Sequence, residues 1–235
     1  VRKTIVTVLL TSLFLSSITT SQASYDGVWL GNYSTNTVLY QSLKVDQSLS
    51  LLDQIIVLPK NNFDQKEAAE MINRISLIPD SILEKIKNNG ITLNLFTGKL
   101  TDNPTASHLK GKIPRGYANN VTWDDVPGIG GSKVVLVKIG ASEKGQGHGS
   151  INLELHELAH SIDYYVFNEI SGSKEFLNMW ETEHEQLFPG NSYFQYPEEY
   201  FAETFAMYYL NTDSKELLRT KAPKTFEFMK QLSLP

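Results

Sequence analysis

In the run LELHELAHSIDYY, Leu153 to Tyr165, two histidines stand four residues apart and a glutamate follows the first. On an α-helix, residues four apart share a face with Cβ atoms roughly 5 to 6 Å apart, so His156 and His160 can converge on one ion. Zinc–nitrogen bonds of about 2.0 to 2.1 Å fit that convergence, and Glu157, one position round the helix, lies beside the ion without binding it. That is where a base must sit to take a proton from water activated by the metal. Leu155, Leu158, Ala159 and Ile162 form an apolar stripe that packs such a helix with or without metal, so the chemistry turns on a third ligand.

A catalytic zinc site takes three protein ligands and leaves the fourth position for water. Val166 stands six residues after His160, which excludes the arrangement with a third histidine there. A later helix, YPEEYFAETFAMYYL (Tyr196 to Leu210), supplies glutamates instead. Pro197 suits the first helical position, which puts Glu198 and Glu199 in the first turn, where the helix dipole alone favours acids. Glu203 falls mid-helix among Phe201, Ala202, Phe205 and Ala206, where an unpaired carboxylate is costly. Spacing therefore predicts His156, His160 and Glu203 as ligands of one Zn2+ per chain. Glu199, one turn earlier on the same face, is expected behind the ligands or against substrate. Tyr196, almost two turns before Glu203, is placed to donate to a developing oxyanion, although an aromatic staple fits it equally. Asp163 reads either as a carboxylate that orients a ligand histidine or as a solvated acid. His184 sits in the charged run ETEHEQ, and His108 and His148 lie in loops without ligand spacing; only His148 is near enough to the active helix to stay open.

These residues need a frame. The first 23 residues read as a secretory signal peptide: Arg2 and Lys3 precede an apolar run that is too short to span a bilayer, and Ser21-Gln22-Ala23 offers small residues for cleavage. Residues 24–50 read as a flexible leader, and 51–235 as one metallopeptidase domain. The net charge of −5, more negative once Arg2 and Lys3 are lost, disfavours nucleic acid or an anionic membrane as partner. With no cysteine, stability outside the cell comes from a core rather than from disulfides. Strands are predicted at Gln54–Leu58, Ile91–Phe96 and Lys133–Ile139, with helices between the first two. After Gly147 the chain turns almost wholly helical, near 151–167, 173–187, 197–210, 213–219 and 223–231. The fold class is α+β of the gluzincin type, a small mixed sheet with helices followed by a helical half, with the zinc cleft between. Gly190–Gln195 reads as a flap before the ligand helix.

The stretches GKLTD (98–102), TWDDVPGIGGS (122–132), INLELHELAHSID (151–163) and YPEEYFAETFA (196–206) closely resemble the Pro-Pro endopeptidases, secreted zinc peptidases of Gram-positive bacteria related to the catalytic domain of anthrax lethal factor. The resemblance implies the same ligand set, Glu157 as general base and Tyr196 as oxyanion donor. It also implies that an edge strand near Lys133–Ile139 pairs with an extended substrate, flanked by the loop Gly130, Gly131 and Ser132. The family's substrate-contacting PKGW stretch reads Pro114-Arg115-Gly116-Tyr117 here, so Arg115 and Tyr117 are implied substrate contacts, the guanidinium with its own geometry. Trp123, Tyr196 and Tyr200 join Tyr117 as walls for a proline-rich segment, which lacks backbone donors and stays extended. The expected product is a secreted, monomeric endopeptidase that cuts Pro-Pro bonds in proline-rich cell-surface proteins. A peptidase of broader specificity is the rival enzyme. A zinc-stabilised module that grips such segments without cutting them is the rival outside enzymes, against which Glu157 and the lack of a fourth ligand both speak.

Overall fold

Short runs rich in valine, isoleucine and leucine, flanked by turn residues, build a sheet, and longer stretches of helical period pack around it. The computed structural model describes residues 27–45, 47–114 and 121–232. Its strands are β1 (Val28–Trp29), β2 (Ile56–Leu58), β3 (Thr92–Phe96), β4 (Gly128–Ile129) and β5 (Val134–Lys138), in the order β1-β2-β3-β5-β4. β2, β3 and β5 run parallel, and β1 and β4 close the two edges antiparallel. β3 and β5 are matched from Thr92 opposite Val134 to Phe96 opposite Lys138. Period two then sorts their side chains: Leu93, Leu95, Val135 and Val137 enter the main core, while Phe96, Val134 and Leu136 enter a smaller cluster on the other face.

Among the described residues, four α-helices precede β4: α1 (Val38–Ser42), α2 (Leu49–Leu52), α3 (Gln65–Ile75) and α4 (Asp80–Asn88). Asp64 caps α3, its carboxylate accepting from the backbone N–H groups of Lys66 and Glu67 at 3.0 and 3.1 Å. α3 and α4 form the crossover that parallel β2 and β3 require. The second half holds α5 (Leu153–Ser161), α6 (Lys174–Leu187), α7 (Pro197–Leu210), α8 (Thr212–Lys221) and α9 (Pro223–Leu232). Buried Glu183 of α6 ties three of them together: it accepts from the backbone N–H groups of Lys224 and Thr225 at the start of α9, and the Thr225 hydroxyl bonds Tyr200 of α7 at 3.0 Å. The α+β architecture is the one expected, and among the described residues no helix is long and apolar enough to cross a membrane.

Three expectations need correction. The segment after residue 27 is no loose leader: β1 pairs with β2, and Leu30 and Leu39 are fully buried. A two-residue strand and a five-residue helix are too short to leave a periodic pattern. Second, the strand at 134–138 lies inside the sheet, between β3 and β4, so the free edge belongs to Gly128–Ile129. Two residues, one of them glycine, carry almost no strand signal. Third, α5 ends at Ser161, and residues Ile162–Val166 continue it as a wider π-helical turn. The predicted signal peptide, with residues 24–26, falls outside the described residues.

The buried leader makes a test. Leu39→Ala should lower unfolding free energy by about 2 to 5 kcal/mol, as for other leucines buried in a core. Chemical denaturation measures it, and a loss below about 0.5 kcal/mol, typical of a surface position, would return the segment to a loosely held state.

Candidate metal centre and cleft

α5 starts where Asn152 accepts from the Leu155 N–H at 3.0 Å, and it packs Leu153, Leu155, Leu158 and Ala159 into the main core. α7 starts at Pro197 with Tyr196 as its cap residue. α7 offers Ala202 and Ala206, both fully buried, which let the two helices approach closely. The polar groups of α5 and α7 therefore meet inside protein rather than in water.

There they form a triangle. His156 Nε2 lies 3.3 Å from Glu199 Oε2, His160 Nε2 lies 3.2 Å from the same oxygen, and the two Nε2 atoms are 3.2 Å apart. A tetrahedral ion with bonds of about 2.0 to 2.1 Å separates its ligands by about 3.3 to 3.4 Å, so these atoms fit three corners of a zinc site as they stand. Glu203 takes another place. Its Oε2 lies 3.1 Å from His156 Nδ1, and its Oε1 accepts from the Ile151 N–H at 2.8 Å. The expected assignment of the two glutamates is thereby corrected: Glu199 joins the histidines, and Glu203 holds the far nitrogen of one of them. Burial marked Glu203 as partnered, which it is, but the partner is an imidazole N–H and a backbone amide.

The acids and imidazoles of this cluster shift one another. Burial pushes the His156 imidazole down, but its bonds to Glu199 and Glu203, with Glu157 nearby, outweigh that and raise it to about 10. Burial likewise pushes Glu199 up, and the bonds from His156 and His160 overcome it and hold the carboxyl below the usual carboxylate range. Glu157, half-buried, is raised by burial against the pull of both histidines.

The free edge of the sheet lies directly over Glu157. A Cβ at Gly130 would fall 2.0 Å from the Glu157 carbonyl oxygen, and one at Gly128 would fall 3.0 Å from Glu157 Cγ. At Gly130 only glycine permits this approach. The loop that follows is bolted to α5: the Gly131 N–H donates to Ser161 Oγ at 3.0 Å, and that hydroxyl donates to the Ser132 carbonyl at 2.7 Å. Two lobes of one cleft open on either side of Glu157, sharing Val126, Gly128 and Tyr193. The lobe near His160 is walled by Trp123, Gly130, Gly131, Tyr196 and Glu199. The lobe near His156 is walled by Pro127, Leu153, Phe194 and the glycine-rich loop around His148.

Other expected residues divide. Trp123 and Tyr196 do line the cleft, whereas Tyr200 is fully buried against Thr225 and is no wall. Arg115 and Tyr117 lie outside the described residues. Asp163 does not orient His160; both its oxygens are taken by Ser171, one by the backbone N–H at 2.9 Å and one by the hydroxyl at 2.6 Å. His184 stacks on Trp180, and His148 bonds Ser150 and the Ala141 carbonyl, with burial lowering its pKa from the ordinary value. The segment 190–195 is pinned by Phe194, which stacks on Phe188 at 4.0 Å and whose carbonyl accepts from Trp180 Nε1 at 3.0 Å. Its neighbour Tyr193 was not foreseen: the ring lies 6.5 Å from His156, inclined by 24°. An aromatic beside a glycine-asparagine turn, shortly before the ligand helix, was the available signal.

The chain is similar to known proteins along most of its length. The family model described as anthrax toxin lethal factor, N- and C-terminal domain, matches residues 42–232. A Pro-Pro endopeptidase of Clostridioides difficile (strain 630) is 45% identical over 193 residues, covering 82% of this chain and 87% of that protein. A Pro-Pro endopeptidase of Paenibacillus alvei is 43% identical over 188 residues, covering 79% and 86%. The solved structure of a Pro-Pro endopeptidase from Paenibacillus alvei superposes with a TM-score of 0.74 at 42% identity, covering 77% of this chain and 99% of that one.

Proposed function

This chain belongs to the Pro-Pro endopeptidases within the lethal factor family, metalloendopeptidases that hydrolyse the bond between two prolines, and we propose that it does so with one zinc ion held by His156, His160 and Glu199. The observation that carries the ligand set is the triangle of two Nε2 atoms and one carboxylate oxygen at tetrahedral spacing. A zinc ion bound there supplies a Lewis acid for the scissile carbonyl and lowers the pKa of water.

The protein's own groups do the rest. Glu157, raised by burial and facing the waist of the cleft, takes the proton from the attacking water and delivers it to the departing prolyl nitrogen. Glu203 fixes the His156 ring so that Nε2 points at the ion position. Tyr193, which borders both lobes and lies against His156, donates to the oxyanion; Tyr196, the expected donor, serves as a wall of the lobe near His160. The free edge at Gly128–Ile129 receives an extended substrate, and Trp123 flanks its proline rings. We further propose that the chain is exported through its first 23 residues and acts outside the cell, as a monomer, on proline-rich segments of surface proteins. The basic and apolar leader supports that reading.

Mass spectrometry of a proline-rich peptide library is the test: cleavage should fall only between two prolines and stop on chelation of zinc. Cleavage at other junctions would transfer the substrate claim to a broader peptidase. Glu157→Gln should keep its zinc and lose at least about 100-fold in kcat, the range expected for a general base; loss of the metal would overturn its role. For the oxyanion donor, Tyr193→Phe should lower kcat by about 100-fold or more and Tyr196→Phe by much less. Steady-state kinetics showing the reverse order would give the role back to Tyr196.

A further inference from the structure

The loop from Glu143 to Ser150 reads EKGQGHGS, three glycines alternating with other residues, and it walls the lobe near His156. Gly145 and Gly147 have φ of +94° and +93°, which glycine alone adopts without strain. Its tip leans on the strand edge, since a Cβ on Gly147 would meet Pro127, the residue before β4, at 3.4 Å. The foot of the loop is fixed. Glu143 bridges Asn152, the Leu153 N–H donates to the Ser142 carbonyl at 3.0 Å, and Arg74 Nη2 donates to Ser142 Oγ at 2.8 Å.

One side chain spans the loop. His148 Nε2 lies 2.8 Å from the Ala141 carbonyl, and a carbonyl only accepts, so Nε2 carries the hydrogen. In the neutral ring Nδ1 then accepts from the Ser150 hydroxyl at 2.7 Å. The His148 carbonyl in turn accepts from the Gly145 N–H at 3.0 Å. Both ring nitrogens are thus spent on the loop's own feet, which leaves the imidazole no polar atom for substrate or metal.

We propose that His148 is a positioning residue: it clasps the glycine loop against Pro127 so that bare backbone forms the end wall of this lobe and selects the residues on the C-terminal side of the scissile bond. The inference rests on the endopeptidase reading above. A proline-rich segment is stiff and broad across its rings, and a wall made largely of three glycines lets it lie close. The direction follows from β4, which runs from this lobe toward the other: the antiparallel ladder, the more stable one, places the peptide's C-terminal part here.

The test compares two peptides with the same Pro-Pro bond, one carrying three residues after it and one carrying a single residue. Wild-type protein should favour the long peptide in kcat/KM. His148→Ala should reduce that preference by about tenfold, acting through KM rather than kcat, because the wall is no longer pre-organised. His148→Gln, whose amide nitrogen can still donate to the Ala141 carbonyl, should restore most of it. Ser150→Ala, which removes one side of the clasp and keeps the ring, should fall between, and it carries the test if His148→Ala fails to fold by thermal melting. A preference for length unchanged in both clasp variants, or a fall in kcat at constant KM, overturns the proposal while leaving the endopeptidase intact. Failure of wild-type protein to cut either peptide would instead sink the endopeptidase reading and this inference with it.

Discussion

An imidazole inside a protein turns about two torsions, and a bond to its second nitrogen is what stops it. Here that bond joins His156 Nδ1 to Glu203, a carboxylate itself held by the Ile151 N–H just before α5. The contact ties three things at once: the depth of α7, the entry to α5, and the direction of Nε2. With the ring fixed, His156 Nε2, His160 Nε2 one turn on and Glu199 Oε2 one turn back on α7 stand 3.2 to 3.3 Å from one another. A carboxylate behind an imidazole also raises its basicity, so the same bond that orients the ring suits it to hold a metal ion.

The second constraint is steric. The edge strand lies close over α5 at Glu157: a methyl group at Gly130 would collide with the Glu157 backbone, and one at Gly128 would press on its side chain. This explains why a two-residue strand with a glycine in it forms the edge beside Glu157, while the strongly patterned β5 serves as its support. The walls on both sides are loops anchored by polar clasps: Ser161 to the 131–132 turn, and His148 to the glycine loop.

Much of this was legible in the chain. The HELAH spacing located both histidines and the glutamate between them, Pro197 located the start of α7 to the residue, and the three parallel strands of the sheet were foreseen from their β-branched runs. What escaped depended on distance between elements rather than on pattern within them. Glu199 and Glu203 share a face of α7, one turn apart, and only the height at which α7 crosses α5 decides which of them meets the histidines. First-turn acids have a ready local explanation, which drew attention away from Glu199. The leader at 27–45 was misread because its elements are shorter than one period of any pattern, though Leu30 and Leu39 anchor it in the core. Tyr193 sits in a single 3-10 turn and His148 in a loop, where side-chain direction is set by backbone turns that no periodicity announces.

The identity of the third ligand is the claim on which the rest hangs, and a zinc-loaded crystal measured at the zinc absorption edge tests it most directly. The account predicts an anomalous peak about 2.0 to 2.2 Å from His156 Nε2, His160 Nε2 and a Glu199 oxygen, with Glu203 still bonded to His156 Nδ1. A peak bound to Glu203 in place of Glu199, or one away from the histidine pair, would contradict it.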